Sequence, residues 1–320
     1  GLVESQIDLV AGVSHLREAW AALDDPALRR RAVRPLAWSL VFSGDAQEGA
    51  DIARAAAADL PPEHDDLRRW LVGITACAVH FGAHVPEAPG LLEAERGAGA
   101  GGGPGRRGLR SFGAFDRCLR GGSASEVVPQ ALDALEGGVL LAEPDGFMLA
   151  AGALLVLEMA ESPEADAAWD SALAQAHRNG SLFAISAILL WRGLGLIGRG
   201  DLREARSHLD DAGALLDRWG IVSGSHARIF LAEMHLAAGS VTEARAVLPA
   251  ESGWDDGADG SLFRLRAEAG VLIAEGRHAE ALVVADRLRD GLAGRGLSER
   301  INPAWIPWRS LRAQALLGAL

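Results

Sequence analysis

Lysine and tyrosine are missing from this chain of 320 residues, so all 31 basic residues are arginines. The arginines form no basic block, and the net charge is −12. A nucleic-acid binder needs a cationic face to neutralise phosphates, so direct DNA or RNA binding is not expected of this chain. A phosphate-binding P-loop is excluded as well, because its lysine has no counterpart. Cysteine occurs only as Cys77 and Cys118, each inside an apolar helical pattern, which predicts two buried thiols in a reducing compartment. The opening Gly1-Leu2-Val3-Glu4-Ser5 lacks the basic stretch and apolar core of a signal peptide. It also lacks an initiator methionine, as an excised fragment would. The longest apolar stretch, Leu182 to Ile197, is interrupted by Arg192 and is short for a bilayer. A soluble, cytoplasmic protein is the expectation.

What the chain does contain is a recurring local formula. Gly200-Asp201-Leu202-Arg203-Glu204-Ala205, Gly239-Ser240-Val241-Thr242-Glu243-Ala244 and Gly276-Arg277-His278-Ala279-Glu280-Ala281 share it. The segments beginning at Gly44 and Gly122 keep most of it. Weaker copies start at Gly82, which reaches Glu87-Ala88 one residue late, and at Ser162, which leads to Asp166-Ala167. The anchors 44, 82, 122, 162, 200, 239 and 276 are 37 to 40 residues apart. Glycine can end a helix in the left-handed conformation. Asp or Ser beside it would cap the next helix, and Glu three residues later would complete a capping box. The small residue after Glu would let the second helix lie close to the first. Each anchor therefore predicts the turn of an antiparallel helix pair, with Leu202, Ala205, Leu209, Ala212 and Leu216 on one buried face.

Such pairs bury their apolar stripes only by stacking on neighbours. The expected fold is all-α: one α-solenoid over residues 1–320, of about seven to eight antiparallel helix pairs with a period of about 39 residues. The Gly-rich segment 96–108 and the Gly- and Asp-rich segment 251–260 fall between pairs without shifting the register. They are expected as loops on one edge of a single superhelix.

No motif gives catalysis a foothold. Gly103-Pro104-Gly105-Arg106-Arg107-Gly108 matches G-x-G-x-x-G, but no strand precedes it, so a flexible loop is expected. His80 and His84 lack the glutamate of an H-E-x-x-H, and the nine histidines are scattered. Asp255, Asp256 and Asp259 lack the bidentate Glu that closes a calcium loop. Asn179-Gly180-Ser181 fits a helix end better than a glycosylation site. No G-x-S-x-G occurs. Neither catalytic residues nor a metal site are expected.

Gly-x-x-x-Glu-Ala at a helix-pair turn resembles the central part of the tetratricopeptide pattern, with Gly193, Ala212 and Pro61 at further family positions. The period is longer than the usual 34 and the family's early aromatic is mostly missing. Residues Leu182 to Gly220 (LFAISAILLWRGLGLIGRGDLREARSHLDDAGALLDRWG) and the segment Asn302-Pro303-Ala304-Trp305-Ile306-Pro307-Trp308-Arg309-Ser310 resemble the helical arm of large ATP-binding regulators of the LuxR family. These are actinobacterial transcription factors laid out like the maltose-regulon activator. The resemblance implies a parent protein with an ATP-binding domain upstream of the arm and a helix-turn-helix downstream. No nucleotide-binding or DNA-binding domain is expected within the chain itself, and no cofactor; ATP would belong to the parent's upstream domain.

In tetratricopeptide geometry the first helix of each pair lines a concave binding face. Carried onto this sequence, that face takes Arg34, Trp38 and His80, then His226 and Glu233, then Arg266, and finally Trp305, Trp308 and Arg312. The middle pairs supply apolar residues such as Val156 and Leu190. Trp and Arg are the side chains that most often carry binding energy. The expected partners are a small-molecule effector or a protein segment in this groove, together with the other domains of the parent. Nucleic acid and membrane are not expected as partners. The expected role is a sensing and coupling arm, the alternative a stand-alone scaffold that clamps a peptide.

Overall fold

One backbone device closes nine helical segments among the described residues, seven of them at the turns expected from the sequence. The residue after the helix takes a left-handed conformation at Gly44, Gly82, Gly121, Glu161, Gly200, Gly239 and Gly276, with φ between 49° and 102°. The following amide then reaches back five residues to an otherwise unpaired carbonyl. These bonds run from Asp45 to Leu40, Ala83 to Ala78, Gly122 to Arg117, Ser162 to Leu157, Asp201 to Leu196, Ser240 to His235 and Arg277 to Leu272, all at 2.8–3.0 Å. This is the six-to-one bond of the Schellman motif.

The structure is a computed structural model that describes residues 9–94, 102–219, 224–250, 258–297, 299 and 301–320. Among the described residues it is all-helical, without strands. Two compact units emerge. The first comprises Gly1–Cys118, Gly122–Ile185 and Asp217–Val222. It holds α1 (Leu9–Ala22), α2 (Pro26–Ser43), α3 (Ala46–Asp59), α4 (Asp65–Ala78), α5 (Ala88–Ala94), nearly all of α6 (Pro104–Leu119), α7 (Ala124–Leu135), α8 (Val139–Ala142), α9 (Gly146–Met159) and α10 (Ala165–Asn179). Here α2 packs on α1 and α3, α3 on α4, and α9 on α7 and α10. The second comprises Leu119–Gly121, Ser186–Leu216 and Ser223–Leu320. It holds most of α11 (Leu182–Arg199) and α12 (Leu202–Trp219), then α13 (Gly224–Ala237), α14 (Val241–Val247), α15 (Asp259–Ala274), α16 (His278–Gly294) and α17 (Trp308–Ala319). In it α13 packs on α14 and α15, α15 on α16, and α16 on α17.

The small residue after the turn is buried in six of the seven copies, as Gly49, Ala88, Val127, Ala205, Ala244 and Ala281. A Cβ on Gly49 would lie 2.7 Å from the Ala37 carbonyl oxygen, so α2 and α3 approach each other backbone to backbone there. In the copy near Ser162, Ala167 is exposed and Ala165 is the buried residue. On α12 the residues Ala205, Leu209, Ala212 and Leu216 are buried, and Leu202 at the helix start is half-buried.

The side-chain caps differ from the expectation. Asp45, Ser123 and Ser240 make no cap bond. Arg17 of α1 takes both acids of the first copy, Asp45 at 2.7 Å and Glu48. In the last copy Arg277 holds Glu280 through two bonds of 2.6 and 2.7 Å. With the Schellman bond already fixing the turn, these acids are free to pair with arginine instead of reaching back to the backbone.

The segment expected as a loop through Gly108 is corrected: helix α6 starts at Pro104. Two of its orphan amides are capped from another helix, Gly105 and Arg106 each donating at 3.1 Å to the carboxylate of Asp66. The glycines serve close approach, since a Cβ on Gly105 would lie 1.9 Å from the Asp66 carbonyl oxygen and one on Gly108 2.4 Å from a Leu149 methyl. The G-x-G-x-x-G is thus a packed helix start whose amides already hold a carboxylate. Similarly α15 begins at Asp259, inside the expected loop 251–260; Asp255 and Asp256 lie outside the described residues. Gly180 ends α10 with φ 65°, as Asn179-Gly180 predicted. The six-to-one bond recurs there, from Ser181 to Ala176 at 3.1 Å, and after α16 from Leu297 to Leu292 at 2.9 Å. Helix α11 is long and apolar enough to cross a membrane by length and composition. Within this structure its Ala184, Ile188, Leu190 and Leu196 are buried in the protein.

Candidate functional site

Phe230 and Glu233 lie one turn apart on α13, and Phe263 and Arg266 one turn apart on α15, so each ring shares a face with a charge. Where the two helices pack, Phe230 and Phe263 meet edge to face at 5.3 Å. One turn on, Arg266 Nε donates to Glu233 at 2.6 Å and Nη2 donates to the second carboxylate oxygen. The two side chains are 11% and 13% exposed. A desolvated, bidentate pair of this kind is strong while intact, and removing one partner costs about 3–5 kcal/mol. Arg266 Nη1 donates to the Trp305 carbonyl at 2.5 Å.

Trp305 completes the cluster. It is 4% exposed, stacks on Trp191 of α11 at 5.3 Å and meets Phe263 edge-on at 4.9 Å. Trp191 also faces Phe230 at 5.6 Å and is itself only half-buried. Three expected residues, Glu233, Arg266 and Trp305, are therefore brought together around an aromatic nest that presents part of one indole. Such a nest can stack a planar apolar group. It holds no acid/base pair poised for proton transfer, because an arginine stays charged and Glu233 is committed to it.

The other three expected residues of this unit have different surroundings. His226 is half-buried in the first turn of α13. Trp308 is half-buried, with the Arg309 guanidinium 4.7 Å from its ring. Arg312 Nε donates to Asp286 at 2.9 Å.

In the first unit, Arg34, Trp38 and Phe42 follow one another at four-residue steps along α2. The Arg34 guanidinium lies 3.6 Å from the centre of the Trp70 ring and pairs with Asp145 and with Glu143 (3.1 Å). Trp38 is 4% exposed and stacks on Phe42, which in turn meets Phe81 and Phe183, each at 4.8 Å. His80 lies against Phe115 (5.2 Å) and Phe112 (6.1 Å) of α6. Trp38 thus belongs to a packed interior and Arg34 to its half-buried margin, both apart from His80 in their contacts. A cleft of about 400 Å³ is lined by Val13, Ser14, Arg17, Glu18, Ser43 and Asp45, but its cation is bound to Asp45 and Glu48.

Trp191, Phe230, Trp70 and Asp145 were not singled out by sequence. The signal for Phe230 was present: it precedes Phe263 by the same 33 residues that separate Glu233 from Arg266. Among the described residues no group of His, Cys, Asp and Glu could hold a metal ion. No protein-family model, curated protein or solved structure matches the chain.

Proposed function

We propose that the chain is a sensing and coupling module built of tetratricopeptide-like helix pairs, each unit being a stretch of α-solenoid, and that it serves as the arm of a cytoplasmic LuxR-family-like ATP-dependent transcription regulator. The observation that carries the helix-pair part is the series of Schellman turns at residues 44, 82, 121, 161, 200, 239 and 276, at intervals of 37 to 40, with the further copies at Gly180 and Gly296 falling after the second helix of a pair. A regular interval between identical turns is what stacked helix pairs require. The role as an arm rests on the likeness of Leu182–Gly220 and Asn302–Ser310 to that family. It gains support from the way Trp191 and Trp305, one from each segment, stack on each other. The effector would be a small molecule with a planar apolar part, or a protein segment with an aromatic side chain, held on the half-buried Trp191. No catalysis and no cofactor are assigned to this chain; ATP and DNA would be bound by the parent.

The parent gene tests the proposal. A P-loop domain encoded upstream and a helix-turn-helix downstream are expected. A reading frame with neither would overturn the role as an arm and leave a peptide-clamping scaffold.

A further inference from the structure

The stretch between α16 and α17 is a compact turn held by its own backbone and by the Asn302 amide, which donates to the Leu119 carbonyl at the end of α6 at 2.7 Å. Ile301 donates to the Leu297 carbonyl at 2.9 Å, and the Asn302 carbonyl accepts from Trp305 (3.0 Å) and Ile306 (3.2 Å). The Asn302 side-chain oxygen accepts from the Ala304 amide at 3.0 Å, an Asx-turn that pre-forms the bend. Ile301, Trp305 and Ile306 are all buried. By contrast α17, which follows, buries only Ala315 completely; Leu316, Leu317 and Leu320 are exposed. The apolar anchoring of the chain's end therefore resides in the turn rather than in the helix behind it.

A side-chain tie between the turn and the helices is at Arg266. A guanidinium is planar, and its donors point in fixed directions. Here Nε and Nη2 hold the Glu233 carboxylate while Nη1 holds the Trp305 carbonyl. Glu233 thus sets the plane from which Arg266 reaches the turn, linking α13, α15 and residue 305 through one side chain.

We infer that the Glu233–Arg266 pair is a conformational latch: while closed it keeps the Trp305 turn and α17 docked, and when broken it lets that segment undock with α13, α15 and α16 still folded. The burial pattern favours a local opening, because α17 completely buries only Ala315 and its other tie to α16 is the Arg312–Asp286 pair, half-open to solvent. The latch rests on the sensing role only for its input, which would be any ligand that draws Glu233 away from Arg266.

The test is hydrogen exchange by mass spectrometry on the full chain and on Glu233→Gln, which keeps the shape of the side chain but loses the charge-assisted bonds. Amides of residues 301–312 should exchange faster in the variant by at least about tenfold more than those of α13, α15 and α16. Arg266→Lys should do the same, since the three donors of an ammonium radiate from one nitrogen and cannot span the positions that Nε, Nη2 and Nη1 occupy on the planar fork. Unchanged protection at 301–312, or protection lost equally across α13, α15 and α16, overturns the latch. Should both variants fail to fold, the wild type decides: 301–319 must open more readily than α15 and α16, and equal protection refutes the inference. None of these outcomes depends on the parent gene, so the latch and the arm can fail separately.

Discussion

Two glycines on one helix give a prediction in which the same chemical change should have opposite signs. Gly193 and Gly198 both lie in α11. An alanine in place of either improves helix propensity by about 0.5–1 kcal/mol. A Cβ on Gly198 meets nothing within 4 Å, so Gly198→Ala should stabilise by roughly that amount. A Cβ on Gly193 would lie 2.7 Å from Cγ and Cδ2 of Leu209 and 3.5 Å from the Ala205 carbonyl oxygen. Leu209 is fully buried and cannot swing aside, so overpacking of about 1–3 kcal/mol applies. The net effect of Gly193→Ala should be a destabilisation of about 1 kcal/mol, some 2 kcal/mol away from its neighbour. Urea unfolding followed by far-UV circular dichroism, with the three proteins side by side, reads the order of midpoints. Leu209→Ala alone should cost about 2–5 kcal/mol, and less in the Gly193→Ala background because the new methyl fills part of the space. The coupling should exceed about 0.5 kcal/mol. Stabilisation by both alanines, or additivity in the double variant, would refute the close approach of α11 to α12.

Gly239 has φ 76°, and a methyl group added to it would meet nothing within 4 Å. Gly239→Ala should therefore destabilise by about 1–2 kcal/mol through backbone conformation alone, and Gly239→Asn by less; equal unfolding midpoints for all three proteins would count against the left-handed turn. Burial, and then the nearby Arg192, hold the His208 imidazole below its usual value, so as pH falls through about 6.5 the unfolded chain takes up the proton first and the folded state loses stability until its own lower value is passed. The variant His208→Gln should lose less stability than the parent between about pH 7 and 5, and an NMR titration placing His208 at or above the ordinary value would refute this.

The turns were legible in the sequence because the left-handed conformation disfavours a Cβ, which leaves glycine as a visible mark. Where the mark is ambiguous, the position slips by one. Of Gly121 and Gly122 it is Gly121 that takes φ 83°, and two adjacent glycines offer no local means of choosing. At the fourth turn a glutamate, Glu161, is held at φ 49°, so nothing marks it. The caps were illegible for a different reason: Asp45 and Glu48 suit a capping box, yet Arg17, 28 and 31 residues away, takes both. The start of α6 shows the converse. Its glycines read as loop because their partners, Asp66 and Leu149, are remote in sequence.

The groups around Trp305 show why a binding face could be drawn up from the pattern but not divided into ligand-facing and core positions. An aromatic ring on the inner side of a helix pair satisfies the pattern equally well whether it meets a ligand or a neighbouring ring. Trp38 and Trp305 meet rings, at Phe42 and Trp191, so replacing either by alanine would open a cavity worth about 3–5 kcal/mol and unsettle the fold before it reported on binding. Trp191 is the better probe. It is half-buried, so a substitution there surrenders less packing while removing the indole face on which a planar group would stack. What separates the two kinds of tryptophan is accessible area, and that depends on helices brought together from residues 191, 230, 263 and 305, which no local window contains.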